Sequence, residues 1–179
     1  EKLNYLNDGD PETDSDLGID CIWLMPINPS KSYHGYDVLD YKAINEDYGS
    51  LDDFKDLLQQ AHERGIKIII DFVLNHTSSG HPWFVEAQAP NSQYHDYYIW
   101  SDQNPGYLGP DGQQVWHKAE NGQYYYGLFD DSMPDLNYNN PKVTQEIYEI
   151  TRFWLQDIGV DGFRLDGARH LIEEGQLQE

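Results

Sequence analysis

The sequence has few basic residues, a single cysteine and no long hydrophobic run. Its 179 residues include 11 Lys and Arg against 32 Asp and Glu, which gives a formal net charge of −21. Such a field repels phosphate backbones and anionic lipid, so nucleic acid and membrane surfaces are poor partners. No apolar run is long enough to span a bilayer, and no signal peptide is recognisable. The sequence starts within a predicted helix, and we expect it to be part of a longer chain.

The only cysteine, Cys21, lies in the apolar run CIWLMP. A single cysteine excludes a disulfide framework within the chain and metal sites built from several thiolates. Because no neighbour in this run would activate the thiol, the sequence predicts that Cys21 is a small buried hydrophobe.

Three short apolar runs predict strands that are buried on both faces, at residues 21–27, 66–72 and 160–166. The first two are separated by a predicted helix, which Ser50 caps with Asp53 three residues on and which Gly65 ends. Helical spacing returns at Asn140-Pro141, just before the third strand. Strands that alternate with helices indicate an α/β fold with a parallel sheet.

Residues 77–140 show no clear periodicity. A structureless loop of this length is uncommon in a compact domain, so we interpret the segment as a small inserted subdomain with irregular β structure. Its aromatic rings suit the faces of sugars but also serve as ordinary core, and we expect core for most of them and a ligand role for a few. They are Trp83, Phe84, Tyr94, Tyr97, Tyr98, Trp100, Tyr107, Trp116, Tyr124, Tyr125, Tyr126, Phe129 and Tyr138.

Polar residues gather where each predicted strand ends, in the stretches SYHGYD, DFVLNH and RLDGARH. Sites form at the carboxyl ends of the strands in parallel α/β folds. Alternation along a strand places Arg164 and Asp166 on one face. A cation beside Asp166 would orient that carboxylate and keep it ionised, as a nucleophile needs.

Each of these residues also has a structural interpretation. An arginine and an aspartate at a strand end commonly form a simple ion pair, and His76 alone would be a hydrogen-bonded structural histidine. Asp71 could cap a helix or pair with a cation. Three such clusters on neighbouring strands favour a functional site, but spacing alone leaves both interpretations open.

Four motifs together make the chain resemble the α-amylase family of glycoside hydrolases, and bacterial α-amylases most of all. They are YHGYD (33–37), DFVLNH (71–76), MPDLN (133–137) and GFRLDGARH (162–170). The resemblance implies a (β/α)8 TIM barrel with a domain B inserted after strand 3. Residues 1–76 would then supply the end of helix 1, strand 2, helix 2 and strand 3. Residues 77–140 would form domain B, and residues 141–179 would supply helix 3, strand 4 and the following segment.

The resemblance also implies how the catalytic group is built. Asp166 would be the catalytic nucleophile, Arg164 would position it, and Asp71 would brace Arg164. The family takes its general acid from a glutamate at strand 5 and a third aspartate from strand 7, and we expect both to lie outside this chain. Glu173 and Glu174 directly follow the strand 4 motif and are not candidates for the acid.

The same resemblance implies substrate and metal contacts. His76 would hydrogen-bond the sugar at the point of cleavage, Tyr36 would stack beneath that sugar, and His34 would line the same pocket. Arg169 stands where α-amylases often carry a lysine that contacts sugar beyond the cleavage point. A structural calcium would be held by the remaining residues that match the family, Asn75, Asp135 and the backbone carbonyl of His170.

The implied activity is retaining hydrolysis of α-1,4-glucosidic bonds in starch-like polysaccharides, by a secreted enzyme. Residues 1–179 alone are expected to be inactive, because they lack the general acid. The first alternative is a neopullulanase or an oligo-1,6-glucosidase, since MPDLN is associated with members between neopullulanases and α-amylases. The second is a non-catalytic barrel that acts as an interaction or glycan-binding domain. Asp166, Arg164 and His76 are all present, which favours an enzyme.

Overall fold

The computed structural model describes residues 2–172, and its larger sheet has three parallel strands. These strands are β1 (Cys21–Leu24), β2 (Lys67–Val73) and β6 (Gly162–Asp166), and they lie in the order β1-β2-β6. All their pairings are parallel, so the predicted α/β fold with a parallel sheet, a part of a barrel, is confirmed. Glu173 and Glu174 lie outside the described residues.

One short helix precedes these strands, and two longer helices lie between them. They are α1 (Leu3–Leu6), α2 (Leu51–His62) and α4 (Pro141–Arg152), and α4 continues as a π-helical turn over Phe153–Ile158. As predicted, Ser50 and Asp53 form a reciprocal capping box at the start of α2. Phe54 of α2 meets Trp154 edge to face at 5.8 Å between ring centroids, which joins the helices in the main core. None of the helices in residues 2–172 has the length and apolar character of a membrane span.

The segment between β2 and α4 contains a second, antiparallel sheet and one short helix. The sheet consists of β3 (Trp100–Ser101), β4 (Trp116–Lys118) and β5 (Tyr124–Tyr126) in the order β3-β5-β4. The helix α3 (Pro82–Ala87) begins with a proline after the capping side chain of His81, and its six residues are too few to show helical periodicity in the sequence. Several rings of this segment are buried, as expected of core: Phe84, Tyr97, Tyr98, Trp116, Tyr125 and Tyr126.

The prediction that the apolar runs are buried on both faces is wrong for β1 and also for β6, in which Leu165 is 51% exposed. Cys21 is exposed, and Trp23 and Met25 are 49% and 56% exposed. Both β1 and β6 are outer strands of the three-stranded sheet, and Cys21, Trp23 and Met25 share one face of the run, which no element within residues 2–172 covers. The prediction of a buried Cys21 is therefore wrong as well.

Candidate active site

The ends of β2 and β6 bring Asp71, Arg164 and Asp166 together. Asp71 is aligned with Arg164 across the two strands. Arg164 donates from Nη1 to both carboxylate oxygens of Asp71, at 3.1 and 3.3 Å, and to Oδ1 of Asp166 at 2.5 Å. The Asp71 side chain is fully buried, whereas that of Asp166 is 18% exposed. The guanidinium therefore joins a buried carboxylate to an accessible one.

The buried carboxylate also holds Tyr36. The Tyr36 hydroxyl donates to Oδ2 of Asp71 at 3.0 Å. Burial raises the pKa of Asp71, and the hydrogen bonds from Arg164 and Tyr36 offset part of that rise. Burial and the bond to Asp71 also raise the pKa of Tyr36, so its hydroxyl stays a donor. The hydrogen bonds that Arg164 donates to Asp71 raise the pKa of Arg164, which keeps the charge on the guanidinium.

A pocket of about 340 Å³ lies beside the Arg164–Asp166 pair, and Asp166 forms part of its wall. Four segments that are distant in sequence supply its lining: the loop after β1, the end of β2, the stretch that leads into MPDLN with its first residue, and the end of β6. The lining residues are His34, Tyr36, His76, Phe129, Met133 and Asp166. The pocket therefore combines aromatic rings and an apolar side chain with one accessible carboxylate, a composition that suits a sugar ring.

His76 enters the pocket wall as a neutral side chain. It is 1% exposed, and burial lowers its pKa to about 4. The Tyr41 hydroxyl donates to the His76 carbonyl at 2.6 Å, and Phe129 packs edge-on against the ring at 5.2 Å. Within residues 2–172, Nε2 is buried without a hydrogen-bond partner. A buried polar atom of this kind favours a ligand that supplies the missing partner.

His34 and Tyr36 are positioned by a tightly bonded loop. His34 Nδ1 lies 3.1 Å from Ser32 Oγ and 3.2 Å from the Tyr36 amide nitrogen. Ser30 and Ser32 donate their hydroxyls to the buried carboxylate of Asp37. Gly35 lies between the two pocket residues with φ +81, where a Cβ would approach Pro26 Cβ at 2.9 Å. Only glycine fits this turn.

The three residues expected at the calcium site come from three separate segments. Asn75 Nδ2 lies 3.0 Å from Oδ2 of Asp135, and both side chains are buried. The turn that leads to His170 packs on Asn75, since a Cβ on Gly167 would lie 3.0 Å from Asn75 Cβ. No group of three His, Cys, Asp or Glu side chains in the described part of the chain is arranged to hold a metal. An amide oxygen, a carboxylate and a carbonyl are nevertheless ligands that calcium prefers.

Arg169 lies apart from the pocket. Its side chain is exposed and donates from Nε to Nε2 of His170 at 2.9 Å. The structure thus brings Asp166, Arg164 and Asp71 together with His34, Tyr36 and His76, and it leaves Arg169 outside the pocket lining.

Two pocket residues, Phe129 and Met133, were not predicted as site residues. Phe129 is one of many rings in its segment, and nothing in its local sequence distinguishes it from core. Met133 directly precedes PDLN, so its position beside a recognised motif was the available signal. Both reach the pocket because the chain returns to the end of β2, where Leu136 donates its amide to the Asn75 carbonyl at 2.8 Å.

Comparisons with known proteins identify the family of the chain. The family model "Alpha amylase, catalytic domain" matches residues 1–179. "Alpha-amylase 3" of Dictyoglomus thermophilum is 50% identical over 175 residues, which cover 97% of this chain and 32% of that protein. "Oligo-1,6-glucosidase" of Parageobacillus thermoglucosidasius is 43% identical over 189 residues, with 99% and 32% covered.

A solved structure of an α-amylase is also similar to this chain. The crystal structure of the α-amylase from H. orenii superposes with a TM-score of 0.88 at 56% identity, over 98% of this chain and 36% of that chain. The chain spans about a third of the length of these curated relatives. It belongs to the α-amylase family of glycoside hydrolases, as part of the catalytic domain.

Proposed function

We propose that this chain supplies the nucleophile and one side of the sugar pocket in a retaining hydrolase of α-1,4-glucans. The observation that carries the proposal is the accessible Asp166 in the pocket wall, held through Oδ1 by Arg164. The carboxylate is thereby oriented and open to the anomeric carbon of a bound sugar. Neutral His76 would donate from Nε2–H to a hydroxyl of that sugar.

The reaction proceeds in two displacements. Asp166 attacks the anomeric carbon while a general acid protonates the departing glycosidic oxygen, and water then hydrolyses the covalent glycosyl-enzyme. The acid would stand about 5–5.5 Å from Asp166, as in other retaining enzymes, and would come from outside residues 1–179. Residues 1–179 by themselves should therefore give negligible turnover.

Trapping the covalent intermediate in the full-length protein tests the nucleophile. A 5-fluoro-α-glycosyl fluoride should add its glycosyl mass to the peptide that contains Asp166, and the Asp166→Asn variant should lose activity by more than about 10³-fold. Asp161→Asn is the matched control, because Asp161 is a carboxylate at the opposite end of β6. Label on a different residue, or a product of inverted anomeric configuration, would refute the mechanism.

Linkage specificity needs a separate assay, since relatives at similar identity carry the names of an α-amylase and an oligo-1,6-glucosidase. We expect the full-length protein to release malto-oligosaccharides from starch. Rapid glucose release from isomaltose with starch left intact would replace the proposed specificity by that of an oligo-1,6-glucosidase.

We also propose that Asn75, Asp135 and the carbonyl of His170 hold a structural calcium. The support is their oxygen chemistry and the approach of the three segments described above. Bound calcium would link the sheet to the segment between β2 and α4, and the reaction itself does not require it.

A further inference from the structure

The Arg164 guanidinium has a neighbour besides the two carboxylates. Its Cζ lies 5.4 Å from the centroid of the Trp23 ring, in β1. This distance falls within the range of about 6 Å over which a cation is attracted to the face of an indole ring. The residue that holds Asp166 is therefore itself in contact with an aromatic surface from the far strand of the sheet.

The register of the sheet explains how Trp23 reaches Arg164. Trp23 is aligned with Ile69, and Ile69 is aligned with Gly162, so the three form one layer of the sheet. Arg164 and Asp71 form the next layer on the same face, two residues further along their strands. Gly162 has no side chain to fill its share of the lower layer, where a Cβ would meet only Ile69 Cγ2, at 3.4 Å. This leaves space for the Trp23 ring beneath the guanidinium.

Within residues 2–172, the hydrogen bonds of Arg164 hold one end of its guanidinium. All three leave from the two N–H bonds of Nη1, and neither Nε nor Nη2 donates a hydrogen bond in the described part of the chain. The face of the Trp23 ring supplies a contact for the part of the guanidinium that these bonds do not hold.

We propose that Trp23 is a positioning residue for Arg164, and through Arg164 for the Asp166 carboxylate. The inference rests on the proposed function, in which Asp166 must present its carboxylate to the anomeric carbon. It adds a residue from β1 to a group that otherwise comes from β2 and β6. Trp23 is not among the residues of the main core within residues 2–172, and the role proposed for it is the contact with Arg164.

Two variants of the full-length protein separate this role from simple packing. Trp23→Leu should lower kcat on malto-oligosaccharides about tenfold, equal to about 1.4 kcal/mol, with KM within about twofold of the parent. Trp23→Phe keeps a ring with a weaker attraction for cations, and it should recover most of the lost kcat. The matched control is Ile69→Val, which removes one methyl group from the same layer and should leave kcat unchanged.

The position of the guanidinium is measured independently of turnover. A proton above an aromatic face is shifted upfield, so the Arg164 Nε–H resonance should move downfield in Trp23→Leu and much less in Trp23→Phe. Three kinetic results would each overturn the proposal. They are a kcat of Trp23→Leu equal to that of the parent, a loss of kcat in Trp23→Phe as large as in Trp23→Leu, and a loss of kcat in Ile69→Val as large as in Trp23→Leu. An unchanged Arg164 resonance in Trp23→Leu would overturn it too. Absence of turnover in the parent would instead refute the proposed function, and the resonance would still decide whether Trp23 holds Arg164.

Discussion

At the residue scale, His76 shows how burial prepares a side chain for binding. Its ring is almost fully enclosed, so the charged form is disfavoured and the pKa falls to about 4. The ring is therefore neutral at neutral pH and offers one nitrogen to the pocket. Tyr41 fixes the backbone at the same residue by donating to the His76 carbonyl at 2.6 Å. A neutral, fixed donor suits recognition of an uncharged sugar.

This burial predicts a pH-dependent stability. The pKa is about 4 in the folded state and about 6.5 in the unfolded state, so the unfolded chain binds more protons between these values. The free energy of unfolding should therefore fall as the pH is lowered through this window, by about 2 kcal/mol between pH 7 and pH 5. Urea unfolding at pH 7 and at pH 5 measures this loss of unfolding free energy. In His76→Gln the loss should be smaller than in the parent by about 2 kcal/mol.

His81→Gln is the matched comparison for that experiment. Burial lowers the pKa of His81 to about 4 as well, and His81 lies outside the pocket lining. His81→Gln should also reduce the loss of unfolding free energy between pH 7 and pH 5. It should leave the KM for malto-oligosaccharides unchanged. A His76→Gln variant that loses stability as steeply as the parent would contradict the assignment.

At the scale of elements, α2 begins at a residue that its sequence specifies locally. The Ser50 hydroxyl accepts from the Asp53 amide at 3.2 Å, and Oδ2 of Asp53 accepts from the Ser50 amide at 2.8 Å. These bonds satisfy donors that a helix start leaves free. The helix then places Phe54, Leu58 and Ala61 in the core, which fixes its packing on the sheet that carries the site.

Removing this cap should destabilise the fold without touching the pocket. Ser50→Ala loses the side-chain acceptor, and we expect the free energy of unfolding to fall by about 1 kcal/mol in denaturant titration. Ser50→Thr keeps the hydroxyl and is the control. Equal stability of the alanine and threonine variants would show that the box contributes nothing measurable.

At the scale of the whole molecule, the segment between β2 and α4 is attached to the end of β2 by paired backbone. Leu136 donates its amide to the Asn75 carbonyl at 2.8 Å, and Thr77 donates to the Pro134 carbonyl at 3.1 Å. The Tyr138 hydroxyl adds a bond to the Leu74 carbonyl at 2.5 Å. This attachment brings the MPDLN motif beside His76 and carries Phe129 and Met133 into the pocket.

A calcium ion at this junction would make stability depend on the metal. Chelation with EDTA should lower the Tm of the full-length protein by several degrees, because an ion that binds only the folded state stabilises it. Asp135→Asn should lower the Tm before chelation and abolish most of the chelator's effect. Asp130→Asn, at an exposed carboxylate of the same segment, should keep that effect. No Tm change on chelation of the parent would remove the proposed site.

The sequence by itself determined the local elements and the chemistry at the ends of the strands. Apolar runs predicted β1, β2 and β6, the capping box predicted the start of α2, and Asn140-Pro141 predicted that of α4. Alternation along β6 predicted that Arg164 and Asp166 share a face, and the four motifs predicted the family. These features depend on backbone periodicity and on neighbours within a few residues, so they can be read without tertiary structure.

The tertiary structure alone decided which distant residues meet. Cys21 and Trp23 lie on an edge strand, so an apolar run that predicts burial is exposed there. Phe129 reaches His76 because the chain returns to the end of β2, and Trp23 reaches Arg164 through strand order and register. Such contacts join segments far apart in sequence, and their energy comes from groups that become neighbours only when the sheet and the insertion have folded.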